Sequence, residues 1–334
     1  MDNLPNIYEQ QKRNRRRTVI IMTVFVLFFG FLGYGFDLFY FGNDALGILG
    51  ESYGFPIATV AALAFGTCSS FWGLQSGAKA VLSSAQAVPV PENDPKYQTL
   101  NNVVDEMTIA SGLPRPKVYI IPDSDPNAFA TGKDPEHSYV AVTDGLIEKL
   151  SREALQGVIA HEMSHVRNYD IRVMTVIAAL VGAIFLLSDF GGRMMRFGGG
   201  RRRSNSRSSG AGPIMLIFLA IWLITLIIAP ILSQILAMAV SRQREYLADA
   251  SGAELTRNPL ALANALSKLE SAAEPTASIK KGSAHLCIVD PLGRKMNFKE
   301  GGIAELFGTH PPISKRITLL KAMAFQHEHT ANAV

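Results

Sequence analysis

The residues best suited to do chemistry are His161-Glu162-Met163-Ser164-His165. On a helix of about 3.6 residues per turn, side chains four apart share a face, so His161 and His165 stand one above the other. Two imidazoles placed this way can meet one zinc ion at about 2.0–2.1 Å. Glu162 is not aimed at such a metal but can reach a water bound to it. It would take a proton from that water as general base and hand it to a leaving amine. With seven histidines in 334 residues, chance gives this pattern on the order of one time in a hundred. A catalytic zinc also needs a third protein ligand and an open position. Cys287, the other histidines and any carboxylate on the same side are candidates, among them Glu245 in Arg244-Glu245-Tyr246-Leu247-Ala248-Asp249. Asp249, one turn beyond Glu245, could hold a ligand imidazole by its free N–H.

The elements that must position these groups belong to an apolar chain. Hydrophobic residues make up 48% and charged residues 18%, against roughly 25% charged in soluble domains. General disorder is excluded, and with two cysteines so is a disulfide-rich secreted scaffold. The apolar residues fall in four blocks, near 18–36, 55–74, 173–188 and 213–240. About 20 such residues cross a hydrocarbon core. Pro230 is expected to kink the fourth block, and the third is short enough to be a buried helix instead. Lys12, Arg13, Arg15, Arg16 and Arg17 precede the first block, while 37–54 holds no Lys or Arg. The amino terminus and everything after the second block are therefore expected on the cytoplasmic side. No small-x-small cleavage site follows the first block, so it reads as an anchor rather than a removable signal.

Blocks three and four return the chain to the face it left, which lets Glu245 come back to His161 and His165. One feature opposes a simple crossing. The low-complexity loop Gly191–Gly212 carries Arg193, Arg196, Arg201, Arg202, Arg203 and Arg207, and the charge rule disfavours it outside. Either the first two spans dominate the topology, or blocks three and four form a hairpin that stays at or partly in the membrane. Cys68 and Cys287 are expected as free thiols in a reducing compartment. The net charge of +4 suits membrane lipid headgroups, and no interleaved aromatic and basic pattern points to nucleic acid.

The part outside the spans reads as α+β, mainly helical. Asp94-Pro95 opens a helix through Ser111, ended by Gly112 and Pro114. Lys117–Ile121 and Ser138–Thr143 are strand runs, and Asn127–Thr131 is a short extended candidate. Ser151 caps a helix through Asn168 that carries the two histidines. Further helices are expected through Glu245 and Asp249, from Asn258-Pro259 to about Ala273, and from Ile313 to Phe325. Between them, 280–302 reads as loops with a short strand at His285–Val289. The expected organisation is a basic cytoplasmic arm (1–17), two transmembrane helices with a short outside loop (18–78), a first catalytic part (79–171), an apolar hairpin (172–240) around the loop 191–212, a second catalytic part (241–325) and a flexible tail (326–334).

In this order the sequence resembles the HtpX-type membrane zinc metalloproteases, kin to the type I CaaX prenyl proteases. The resemblance rests on NAFATG at Asn127–Gly132, HEMSHVRNYD at His161–Asp170, SRQREYLADA at Ser241–Ala250 and THPPISKRI at Thr309–Ile317, with the apolar pairs around them. It implies one Zn2+ per chain held by His161, His165 and Glu245, with Glu162 as catalytic carboxylate in a zincin-like domain. It also implies that Asn127, Ala128, Phe129 and Ala130 form an edge strand along which substrate lies extended. His310 and Arg316 match a His and an Arg near the zinc that can stabilise a tetrahedral oxyanion. The implied protein is a multi-pass enzyme of a bacterial inner (plasma) membrane, with membrane proteins as substrates and a role in quality control under stress. The alternatives are a processing protease for specific substrates and a non-catalytic membrane scaffold of the same fold.

Overall fold

The structure, a computed structural model, describes residues 7–40, 55–91, 94–197, 242–272, 276, 278–279, 284–289, 291 and 311–331. The chain resolves into two compact units, one of Met1–Thr18, Leu74–Ala179 and Ile235–Val334, the other of Val19–Gly73 and Leu180–Gln234. Two helices open the chain, α1 (Ile7–Tyr40) and α2 (Ile57–Ser84). The basic arm is thus mostly helix, continuous with the first apolar block, because 7–17 consists largely of good helix formers without Gly or Pro. Among the described residues, Tyr8–Phe39 and Ile57–Ser84 are the stretches long and apolar enough to cross a membrane.

In the second unit, glycines let the first two helices approach closely. A Cβ on Gly33 would lie 2.6 Å from the Ala58 carbonyl oxygen, and one on Gly30 would lie 2.7 Å from Leu63 Cδ2. Dispersion contacts between backbones brought together by small residues hold helices where no hydrophobic drive exists. Asp37, buried, accepts from the Ala58 and Thr59 amides and the Thr59 hydroxyl. It thereby satisfies open N–H groups at the start of α2.

The first unit is built on a four-stranded sheet of β1 (Val88–Pro89), β2 (Lys117–Ile121), β3 (Ala128–Gly132) and β4 (Ser138–Thr143), in the order β1-β2-β4-β3. β2 and β4 are parallel, with Val118 opposite Val140, and the other pairings are antiparallel. The helices are α3 (Gln98–Ser111), α4 (Asp144–Lys149), α5 (Arg152–Arg167), α6 (Asp170–Phe197), α7 (Arg242–Thr256), α8 (Pro259–Ser271) and α9 (Ile313–Ala331). Strand alternation divides the core. Val118, Ile120, Ala128, Ala130, Val140 and Val142 pack against α3, α5 and α8, while Ile121, Phe129 and Ala141 pack against the end of α2 and the start of α6.

Local signals set most helix ends. Asp94 caps a 3-10 turn that leads into α3, and Gly112 ends α3 in the left-handed region at φ 67°. Ser151 caps α5 by accepting from the Ala154 amide, and Asn258 caps α8 by accepting from the Ala261 amide. Two expectations differ. His285–Val289 is not a strand: Ala284–Leu286 forms a 3-10 turn, followed by a single bridge at Cys287. α9 runs on to Ala331, past the expected end at Phe325, since no Gly or Pro interrupts 313–331. The third apolar block lies inside α6, where Ile171, Val173, Met174 and Val176 are buried. The fourth block and most of the loop 191–212 lie outside the described residues.

Candidate active site

α5 presents His161, Glu162 and His165, all buried. Glu245, Asp249 and Gly252 recur at helical spacing along α7, so one face of that helix meets α5. The approach is close: a Cβ on Gly252 would lie 3.0 Å from the His161 amide nitrogen. Gly157 does the same toward α8, with Leu262 N at 2.7 Å from an added Cβ.

The geometry fits a metal. Glu245 Oε2 is 3.7 Å from His161 Nε2, and Glu245 Oε1 is 3.4 Å from His165 Nε2. Ligand atoms about 2.0–2.1 Å from one tetrahedral centre lie about 3.4 Å apart. Among the described residues, these three form the group able to hold an ion, with ligand atoms within 4.8 Å of one another. His161 Nε2 is buried without a hydrogen bond among the described residues. Charge points the same way. The carboxylates of Glu162, Glu245, Asp249 and Asp170 are buried near two guanidiniums, Arg316 and Arg244. A divalent cation would balance the remainder, and uncompensated buried charge is costly.

Each histidine rests on a carboxylate. His161 Nδ1 is 3.0 Å from Asp249 Oδ1, and His165 Nδ1 is 3.2 Å from Asp170 Oδ2, a contact that sequence reasoning missed. The one signal for Asp170 was its place at the end of the histidine motif, an acidic residue at the start of α6. Burial lowers the His161 pKa. Burial opposes the charged form of His165 too, yet Asp170 and Glu245 raise it to about 10. Burial pushes Glu162 up to about 7, with His165 opposing the rise and Glu245 adding to it.

Arg316 is fully buried and grips Asp249 with two nitrogens, at 2.8 and 2.7 Å. Its Nη1 donates to the Ile288 carbonyl and lies 3.4 Å from Glu245 Oε2. Its fork therefore braces the carboxylates that face the histidines. His310 lies outside the described residues. Cys287, the rival ligand, packs instead with Phe129 in the cluster on the other side of the sheet.

β3 is an edge strand, and all five of its residues are buried. Its outer edge meets the chain itself: Phe129 pairs with Cys287, and the Ile288 amide donates to the Ala128 carbonyl at 2.9 Å. Asn127 holds the same segment, donating from Nδ2 to Thr276 Oγ1 and to the Val289 carbonyl.

The sequence matches Peptidase family M48 over residues 95–324. The chain belongs to that family. It is 42% identical over 317 residues to a protease HtpX homolog of Thermoanaerobacter pseudethanolicus, covering 95% of this chain and 98% of the relative. To a protease HtpX homolog of Ligilactobacillus salivarius it is 40% identical over 318 residues, covering 95% of this chain and all (100%) of the relative. A crystal structure of S. mikatae Ste24p is similar with a TM-score of 0.45 and 19% identity, covering 77% of this chain and 57% of that one. M48 peptidases are zinc-dependent, and this chain is a metalloprotease, a hydrolase of peptide bonds.

Proposed function

We propose that this M48 protease is a zinc endopeptidase at the cytoplasmic face of a bacterial inner membrane, cleaving damaged or misfolded membrane proteins under stress. The observation that carries the reading is the buried His161, His165 and Glu245 set at tetrahedral spacing, with Glu162 beside it. His161, His165 and Glu245 would hold the zinc, which would supply Lewis acidity toward the scissile carbonyl and a water. Glu162 takes the proton from the attacking water and delivers it to the leaving amine. Burial raises its pKa above the ordinary carboxylate range, which helps it keep the proton until the amine leaves. Asp249 and Asp170 fix the imidazoles, and Arg316 holds Asp249 in place.

Substrate lies extended along Asn127–Ala130, where backbone hydrogen bonds accept many sequences. To do so it takes the place of Cys287 and Ile288 on the β3 edge. The basic start of α1 belongs to the same unit as the site, which supports a shared cytoplasmic face for both. Blocks three and four join the first pair as further membrane segments. Purification under metal control, with zinc quantified and casein cleavage followed, tests the reading. One zinc per active chain is expected, and cleavage by a zinc-free protein would overturn it.

A further inference from the structure

α1 reaches the histidine cluster through one buried side chain. Asn14 Nδ2 donates to Asp170 Oδ1 at 2.8 Å and to the Asn168 carbonyl at 2.9 Å. Gln11 Nε2 donates to the Arg167 carbonyl at 2.8 Å, and the Arg15 guanidinium lies over the Tyr169 ring. Arg167 and Asn168 end α5, where helix carbonyls lack partners within the helix. Tyr169 then turns the chain in the left-handed region at φ 59°, which aims Asp170 back at His165. The two oxygens of Asp170 have separate tasks: Oδ1 receives Asn14 and lies 3.6 Å from Arg244 Nη1, and Oδ2 faces His165 Nδ1.

We infer that Asn14 is a positioning residue for the metal site, fixing Asp170 so that His165 keeps its proton on Nδ1 and turns Nε2 toward Glu245. The inference rests on the proposed role of His165 as a zinc ligand. A carboxylate held by a donor on one oxygen cannot rotate away from the imidazole on the other. Ring orientation and tautomer then follow, as they do where a carboxylate backs a ligand histidine.

The test uses the full chain in detergent, in a Glu162→Gln background that suppresses self-cleavage. Zinc affinity is measured by chelator competition, and the cobalt-substituted absorption spectrum reports ligand geometry. Asn14→Ala should weaken zinc about 10-fold and alter the cobalt spectrum. Gln11→Ala removes a contact of the same helix without touching Asp170, and should change neither. Asn14→Asp should behave like Asn14→Ala, and in an Asp170→Ala background, itself weak in zinc, neither change should cost much further, because Asn14 acts through Asp170. Equal losses in Asn14→Ala and Gln11→Ala would overturn the inference, because docking of α1 would then be the whole effect. If Asn14→Ala does not fold, Asn14→Asp decides by the same cycle: an equal loss with and without the Asp170 side chain overturns the inference. Failure of the parent protein to bind zinc, measured alongside, would instead overturn the reading of His165 as a ligand.

Discussion

Glu162 and Glu245 are both buried acids of the same cluster, yet their removal should have different signatures. Glu162→Gln keeps the shape and the ligands but removes the proton acceptor, so zinc should stay while cleavage falls 10²-fold or more, on the order of what general-base catalysis contributes. Glu245→Ala should lose zinc and activity together, since it leaves two imidazoles to hold the ion. Metal analysis beside a cleavage assay separates the cases, and an active Glu162→Gln protein would sink the assignment. A second prediction concerns pH. Against the cost of burial, Asp170 and Glu245 raise the His165 pKa to about 10, so the metal-free imidazole carries a proton at neutral pH that zinc must displace. Zinc binding should therefore tighten about tenfold per pH unit from about pH 7 to about pH 9. A flat affinity profile over that window would contradict it. Asp249 was legible in the sequence because one helical turn separates it from Glu245. Asp170 was not, because its approach to His165 depends on the left-handed turn at Tyr169, which no spacing rule announces.

Among the elements, β2 and β4 were legible as apolar β-rich runs, and the caps Ser151 and Asn258 marked the starts of α5 and α8. The segment at 284–289 was not, since its place on the β3 edge depends on tertiary pairing rather than on its own periodicity. That pairing is testable by locking it. Phe129 and Cys287 face each other across the bridge, and facing residues on antiparallel strands have Cα atoms about 4.5–5.5 Å apart, within disulfide reach. Phe129→Cys, with Cys68→Ser to remove the other thiol, should be less active when oxidised and regain activity on reduction. The reduced form is the control for losing the buried ring. A protein shown to be crosslinked yet fully active on long substrates would mean that peptide does not take this edge.

At the scale of the whole molecule, the proposed topology puts the loop between α1 and α2 outside and the start of α3 inside. A membrane-impermeant thiol reagent added to intact cells should label Asn43→Cys but not Asn101→Cys in a chain lacking Cys68, and the reverse pattern would invert the orientation. The site also draws on distant parts of the sequence: α5, α7 and α9 each contribute, and Arg316 grips an aspartate 67 residues before it. At a synthesis rate of about 5–20 residues per second, that interval lasts roughly 3–13 s. During it the nascent chain has both histidines and Glu245 outside or near the ribosome, but Asp249 has no guanidinium to brace it. The cut-capable arrangement thus waits on Arg316, and the young polypeptide passes this interval without a finished blade.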